Sequence, residues 1–410
     1  MPQQVSERRK RIESLLASHG GAKREVYLDL ENSGLIFKEA LERMIEAYRE
    51  HGYGHPSITH KPGWSAYEII LEAMENLMSM IGVEDGEITF THSGTEANNL
   101  AIMGLARAKP DRRRIIYSSI EHLSIKFPAE SLKEYGFEAV EIPVNSEGFI
   151  DLDKLSSLVD KNTLLVSIAA VNHEIGTIQD LKAVADIVKD RDEEIIIHTD
   201  ACDALGRIPL DLAKLGIDMA SFSSHKVYGP KGAGALYARE GIKLKPILHG
   251  QLSSQKLWPG VENVPAIAGF SKALEIFRRN FEEYRGKMHA LRDMLIDGVM
   301  RSVQHVYLNG PKGEKRSPDN VNLSFPYCEG EALTIELSLR GVYVSSGSAC
   351  TSRTLEPSHV LLGIGRPYEI AHGSVLMKVS PMHSEDDIRY AIQQIEEAVA
   401  RIRSISPKEV

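Results

Sequence analysis

The stretch Ser221-Phe222-Ser223-Ser224-His225-Lys226-Val227-Tyr228-Gly229-Pro230-Lys231-Gly232 decides how this chain is read. It follows a short apolar run, Ile217 to Ala220, with the composition of a buried strand. Lys226 therefore falls at a strand end, among hydroxylated side chains and ahead of a glycine-rich turn. Lysine is the side chain that forms Schiff bases with carbonyl compounds. Upstream, Glu193-Glu194-Ile195-Ile196-Ile197-His198-Thr199-Asp200 is a second apolar strand, and it ends in an aspartate. Ligands of α/β sheets bind outside the carboxyl ends of strands, where both residues fall. A Schiff-base lysine with a carboxylate partner for a pyridinium nitrogen is the constellation that serves pyridoxal phosphate (PLP).

Outward from that stretch, strands and helices alternate. Strands are expected at Glu87 to Phe90, Ile115 to Tyr117 and Leu164 to Val171, and helices over Glu96 to Ala108, Leu123 to Tyr135 and Leu181 to Lys189. This alternation predicts a mostly parallel, doubly wound sheet. A strand is expected at Val26 to Leu30, a loop from Gly52 to Gly63, and a continuous helical run from Ala266 to about Val303. Asn320 to Phe325 and Val342 to Val344 read as strands of a smaller unit. The last helix starts near Ser384, with Ile388, Ala391, Ile392, Ile395, Val399 and Ile402 on one face. Residues 1–25 carry a weak amphipathic pattern.

The chain has 410 residues, so two domains are expected. Hydrophobic residues are 42% and charged residues 26%, an ordinary globular balance. A net charge of −9 argues against nucleic-acid and acidic-membrane partners. No apolar run reaches spanning length and no secretory leader is evident, so a cytoplasmic protein is expected. The three cysteines, Cys202, Cys328 and Cys350, have neither disulfide-framework nor zinc spacing. Cys202 and Cys328 lie beside apolar strands and read as structural. Cys350 lies in the small-residue loop Ser345-Ser346-Gly347-Ser348-Ala349-Cys350-Thr351-Ser352, where its sulfur is accessible. Gly94 and Thr95 open a helix after a strand, a place suited to phosphate, although Ser93-x-x-Glu96 also reads as a capping box. His122, after the Ile115 strand, suits a ring-stacking or proton-moving role, or that of an ordinary loop histidine.

Taken together, Val171-Asn172-His173-Glu174-Ile175-Gly176, the Lys226 stretch, the Cys350 loop and Leu355-Glu356-Pro357-Ser358 resemble the cysteine desulfurases. That family is class V aminotransferase-like, on the fold-type I PLP scaffold. The resemblance implies a large PLP-binding domain over 38–280. It also implies a small α+β domain from 1–37 and 281–410 carrying the cysteine loop. It implies that Lys226 holds PLP, that Asp200 keeps the pyridine nitrogen protonated, and that His122 stacks on the ring. Gly94, Thr95, Ser223 and His225 would hold the phosphate. Asn172 would lie beside the substrate or the ring's phenolic oxygen. Cys350 would take sulfur from L-cysteine as a persulfide, leaving alanine, and pass it to an acceptor or scaffold protein in iron–sulfur cluster assembly. A homodimer is implied, with residues 258–264 as the candidate contact.

The pattern departs from the family at His55 in Gly54-His55-Pro56 and at His173 in Asn172-His173, where the family has asparagines, and at three positions among the cofactor and substrate contacts. Asp203 stands where the family usually has a glutamine among the cofactor contacts. Val261 replaces a threonine. Leu376 replaces the arginine that clamps the substrate carboxylate, and Lys378, two residues on and on the same side of a strand, is the candidate substitute. These departures leave open a divergent lyase or aminotransferase acting on another amino compound. A sulfur-assembly scaffold that does not turn over is a third reading.

Overall fold

The buried apolar runs of the middle of the chain form one seven-stranded sheet. The structure, a computed structural model, describes residues 2–18, 22, 24–346 and 357–405. In chain order the strands are β1 (Glu87–Thr91), β2 (Arg114–Ser118), β3 (Glu138–Ile142), β4 (Thr163–Ser167), β5 (Ile196–Asp200), β6 (Met219–Ser223) and β7 (Gly234–Ala238). Their order across the sheet is β1-β7-β6-β5-β4-β2-β3. Strands β2 to β6 run parallel to their neighbours among one another, and β7 is antiparallel to both β1 and β6. Every residue of β4, β5, β6 and β7 is buried, which is why these strands read as continuous rather than alternating apolar runs.

Helix Gly94–Ala108 covers the sheet, with Leu100, Ala101 and Leu105 packed in one core with Ile115, Tyr117, Leu165, Ile196 and Met219. Its start forms half of the expected capping box, with Glu96 reaching back to His92 N instead of Ser93 N. Ser93 Oγ accepts from Glu96 N at 3.2 Å, and the Glu96 carboxylate accepts from His92 N at 2.7 Å.

The sheet belongs to a unit formed by residues 33–285 and 310–318. A second unit comprises Met1–Asn32, Gly286–Asn309 and Asp319–Val410. It holds a four-stranded antiparallel sheet in the order Ser345–Ser346, Ser374–Lys378, Asn320–Ser324, Tyr307–Leu308. A short parallel pair, Val26–Tyr27 with Val342–Tyr343, lies in the same unit. Its last helix, Glu385–Ile405, starts where expected, with Ser384 Oγ accepting from Asp387 N at 3.2 Å. Residues 2–18 form the N-terminal helix.

Several elements differ from expectation. The strand expected over Val26 to Leu30 stops at Tyr27, because Leu28 then splits its bonds between Tyr343 O and Lys378 N, each at 2.8 Å. The helix expected from Leu123 to Tyr135 ends at Ser131 and tightens into a 3₁₀ turn, Leu132–Tyr135. Pro128 removes one helical donor there. The run from Ala266 to Val303 is two helices, Val264–Arg279 and Phe281–Ser302, parted at Asn280. Helices Lys38–Glu46 and Lys61–Ile81 carry no strong sequence start signal. His60 Nδ1, an unusual cap, accepts from Gly63 N. Among the described residues no helix is long and apolar enough to cross a membrane.

Candidate active site

Strands β5 and β6 end side by side, with Asp200 in register with Ser221. This register brings the two residues singled out from the sequence to the same edge of the sheet. Asp200 is buried. Its Oδ1 accepts from Cys202 N at 3.0 Å and its Oδ2 from Asn98 Nδ2 at 2.7 Å. Asn98 projects from the second turn of helix Gly94–Ala108 and also donates to Ser124 Oγ at 2.8 Å. Asp200 is therefore a buried acceptor held by a bond on each oxygen.

Lys226 sits in a single 3₁₀ turn, Ser224–Val227, directly after β6. Its Nζ lies 3.2 and 3.1 Å from the two oxygens of Asp203, and both side chains are buried. Tyr228 ends the turn in the left-handed region, at φ 58°. For a bulky residue this conformation costs about 1–3 kcal/mol and persists only where packing over-determines it. That packing is present. The Tyr228 ring stacks on Phe277 with centroids 5.6 Å apart, meets Phe37 edge-on, and lies under the Arg207 guanidinium at 5.1 Å. The backbone that aims Lys226 is thus held by an aromatic cluster that the sequence did not reveal.

Gly94 and Ser223 meet at the same edge. A Cβ on Gly94 would stand 2.5 Å from Cys202 Sγ and 3.3 Å from Ser223 Cβ, so the helix start and the end of β6 touch only because Gly94 has no side chain. Thr95 is exposed beside it, and Thr95 and His122 line one open cleft. His122 Nδ1 accepts from Ser124 N at 3.1 Å and lies 2.7 Å from Ser124 Oγ. In the neutral ring the proton is then on Nε2. The His122 ring also meets His173 edge-on, with centroids 5.0 Å apart. His225 is half-buried next to Lys226.

Two buried groups complete the electrostatics. Glu121 accepts from Ala169 N at 2.8 Å, and burial keeps its carboxyl protonated well above the usual range, with the charge of Asp200 adding to the effect. His198, in the middle of β5, bridges Ser167 Oγ and Ser221 Oγ on the flanking strands, each at 2.9 Å. Burial lowers it to about 4, so it is neutral. The charged pair next to Asp200 at this end of the sheet is Lys226 with Asp203.

Asn172 is committed to its own loop. Its Oδ1 accepts from Glu174 N and Ile175 N, and its Nδ2 donates to Ile120 O. Cys350 lies outside the described residues. Cys202 and Cys328 are both buried, and burial pushes both thiols up. In the second unit, Lys378 Nζ lies 2.5 Å from Glu31 Oε2, and Leu376 is buried opposite Asn322. Asn98, Ser124 and Tyr228 were missed in the sequence because polar helix positions and a tyrosine after a lysine carry no spacing signal. Lys226, Asp200, Gly94 and Ser223 were found because strand ends do carry one.

A buried amine and a buried carboxylate lie at neighbouring strand ends, next to a helix N-terminus, in an α/β fold, an arrangement chemically suited to a carbonyl-bearing, phosphorylated ligand. Residues 26–388 match the aminotransferase class-V family. The chain is 42% identical over 386 residues to the cysteine desulfurase IscS of Dictyoglomus turgidum, covering 94% of this chain and 97% of that protein. It is 40% identical over 382 residues to the cysteine desulfurase IscS 1 of Archaeoglobus fulgidus, covering 93% and 98%. A solved NifS-like protein superposes with a TM-score of 0.85 at 35% identity, over 92% of this chain and 100% of that one. The chain belongs to the cysteine desulfurase family, within the class-V aminotransferases, a PLP-dependent group on the fold-type I scaffold.

Proposed function

We propose that this protein is a PLP-dependent cysteine desulfurase that takes sulfur from L-cysteine, releases alanine and hands the sulfur to an acceptor protein. One observation carries the reading. Lys226 and Asp200 are buried at adjoining strand ends, beside the start of the Gly94 helix. Their chemistry fits PLP. The amine suits its aldehyde, the fixed carboxylate suits its pyridinium N–H, and the helix N-terminus with Ser223, Thr95 and His225 suits its phosphate. The missing side chain at Gly94 lets the helix start pack directly on Cys202 and Ser223, which sets the helix N-terminus beside the end of β6.

When bound, PLP supplies an electron sink for charge developing beside the substrate's amino group. The residues of the chain do the rest. Asp200 holds a proton on the pyridine nitrogen. His122, with Nδ1 tied to Ser124, covers the ring and moves protons through Nε2. Asn172 shapes the neighbouring loop. Cys350 supplies the thiolate that attacks the substrate sulfur. The S–S bond forms, the C–S bond breaks, and its electron pair goes to carbon. Burial raises the other two thiols and removes them as nucleophiles, which supports Cys350 in this role. Lys378 is the cation proposed for the substrate carboxylate, and Glu31 competes for it.

The active form is proposed to be a homodimer. Leu41 and Ile45 on one helix, and Trp64, Tyr67 and Leu71 on another, are exposed at helical spacing. The 258–264 segment remains a candidate alongside this face, with Val261 exposed although Trp258 is buried. A second reading, a lyase or aminotransferase for another amino compound, rests on Leu376 and on the engagement of Lys378 by Glu31. Borohydride reduction of PLP-loaded protein tests the first reading. A pyridoxyl group mapped to Lys226 supports it, and a loaded protein without that adduct overturns it.

A further inference from the structure

Asp203 stands three residues beyond the end of β5, and both of its oxygens face the Lys226 amine, at 3.2 and 3.1 Å. The two side chains are 7% and 9% exposed. A buried ion pair adds little to stability, because desolvation offsets the attraction. Here the pair involves the amine on which the site depends, so a role in its chemistry accounts for it better than a role in folding.

We propose that Asp203 is the proton partner of Lys226. It accepts a proton as the amine adds to the PLP aldehyde, and afterwards its charge holds a proton on the joined nitrogen. The inference rests on the PLP reading above. The step balances without oxidant or reductant. An ammonium and an aldehyde give a protonated carbon–nitrogen double bond and water. Two of the three ammonium protons leave with the aldehyde oxygen, and one stays on nitrogen, facing Asp203. An ionised carboxylate can only accept, so it favours the nitrogen's proton over any arrangement in which residue 203 donates.

The surrounding groups leave this task to Asp203. Asp200 is tied to Asn98 and to the Cys202 amide. Burial pushes the Glu121 carboxyl and the Cys202 thiol up and lowers His198 to about 4. His225 precedes Lys226 in the turn, and His122 has its Nδ1 engaged by Ser124 N. An opposite charge at this range shifts a titration by about 1–3 units, so removing it should be easy to read.

The test loads wild type, Asp203→Asn and Asp203→Gln with PLP and confirms the Lys226 adduct by borohydride trapping and peptide mapping. The absorption of each loaded protein is then followed from neutral to alkaline pH. The inference expects the wild-type yellow band to persist into the alkaline range, and the midpoint to fall by about 1–3 units in both neutral variants. An unshifted midpoint in a fully loaded variant overturns it. If the neutral variants fold but take up no PLP, Asp203→Glu decides. Restored loading with a near-wild-type midpoint upholds the role, and failed loading overturns it. Absence of the adduct in wild type would instead sink the PLP reading itself.

Discussion

Lys378→Met removes an ammonium that lies 2.5 Å from Glu31, while keeping the aliphatic stem that packs in the strand Ser374–Lys378. The two side chains are 3% and 12% exposed, so the carboxylate left behind is poorly solvated. Deleting one partner of a buried pair typically costs about 3–5 kcal/mol, a large share of the roughly 5–15 kcal/mol that holds a domain folded. Lys378 lies in a central strand of its sheet, paired with both Asn320–Ser324 and Ser345–Ser346. The loss should therefore reach the amides of those strands. Amide hydrogen exchange in Asn320–Ser324 should accelerate by roughly 10²–10⁴-fold, one decade per about 1.4 kcal/mol. Adding Glu31→Gln removes the stranded charge and should recover most of the protection, so the double variant is more stable than Lys378→Met alone. Unchanged exchange in Lys378→Met, or a double variant no better protected than the single, would refute the pairing.

Three further outcomes follow from the site. Asp200→Asn should retain PLP but lose about 10- to 100-fold in kcat, the worth of one charge-assisted bond at the pyridine nitrogen; unchanged turnover removes Asp200 from that role. Gly94→Ala puts a Cβ 2.5 Å from Cys202 Sγ and must push the helix start off β6, so PLP affinity should fall at nearly normal secondary structure by circular dichroism, and wild-type affinity would contradict a role for that helix start in holding the phosphate. His198 is held neutral down to about 4, whereas in the unfolded chain it protonates near its usual value of about 6.5. Between those values the unfolded state binds more protons, so acidification through that window removes stability, by about 3 kcal/mol in all. His198→Asn should flatten that part of the stability–pH curve in urea titrations, and an identical slope in wild type and variant would contradict it.

Five of the seven strands of the central sheet were legible, β4 and β5 most clearly, as buried apolar runs between helices, whereas Glu138–Ile142, mostly unburied, and Gly234–Ala238, behind a glycine-rich turn, were not. Asp200 stood out because it ends β5, and Lys226 because it follows β6 in a single 3₁₀ turn. The partners that make them work were not. Asn98 reaches Asp200 from 102 residues away, and Ser124 orients His122 through a backbone amide. Tyr228 adopts its left-handed backbone only because Phe37, Phe277 and Arg207 enclose it. Each of these depends on tertiary contact, to which period and propensity are blind. The Lys378–Glu31 pair is hidden for the same reason, and it changes how the departure at Leu376 is understood. The helices Lys38–Glu46 and Lys61–Ile81 escaped because their caps are Phe37 and His60, neither a usual N-cap.

Single-turnover reaction of PLP-loaded protein with L-cysteine tests the desulfurase account most directly. Alanine is quantified after the quench, and the Cys350 peptide is weighed. The account predicts one alanine per active site, one added sulfur on Cys350, and neither product in Cys350→Ala. A loaded wild-type protein that yields no alanine and leaves the Cys350 peptide unmodified, while another amino compound reacts readily, would contradict it.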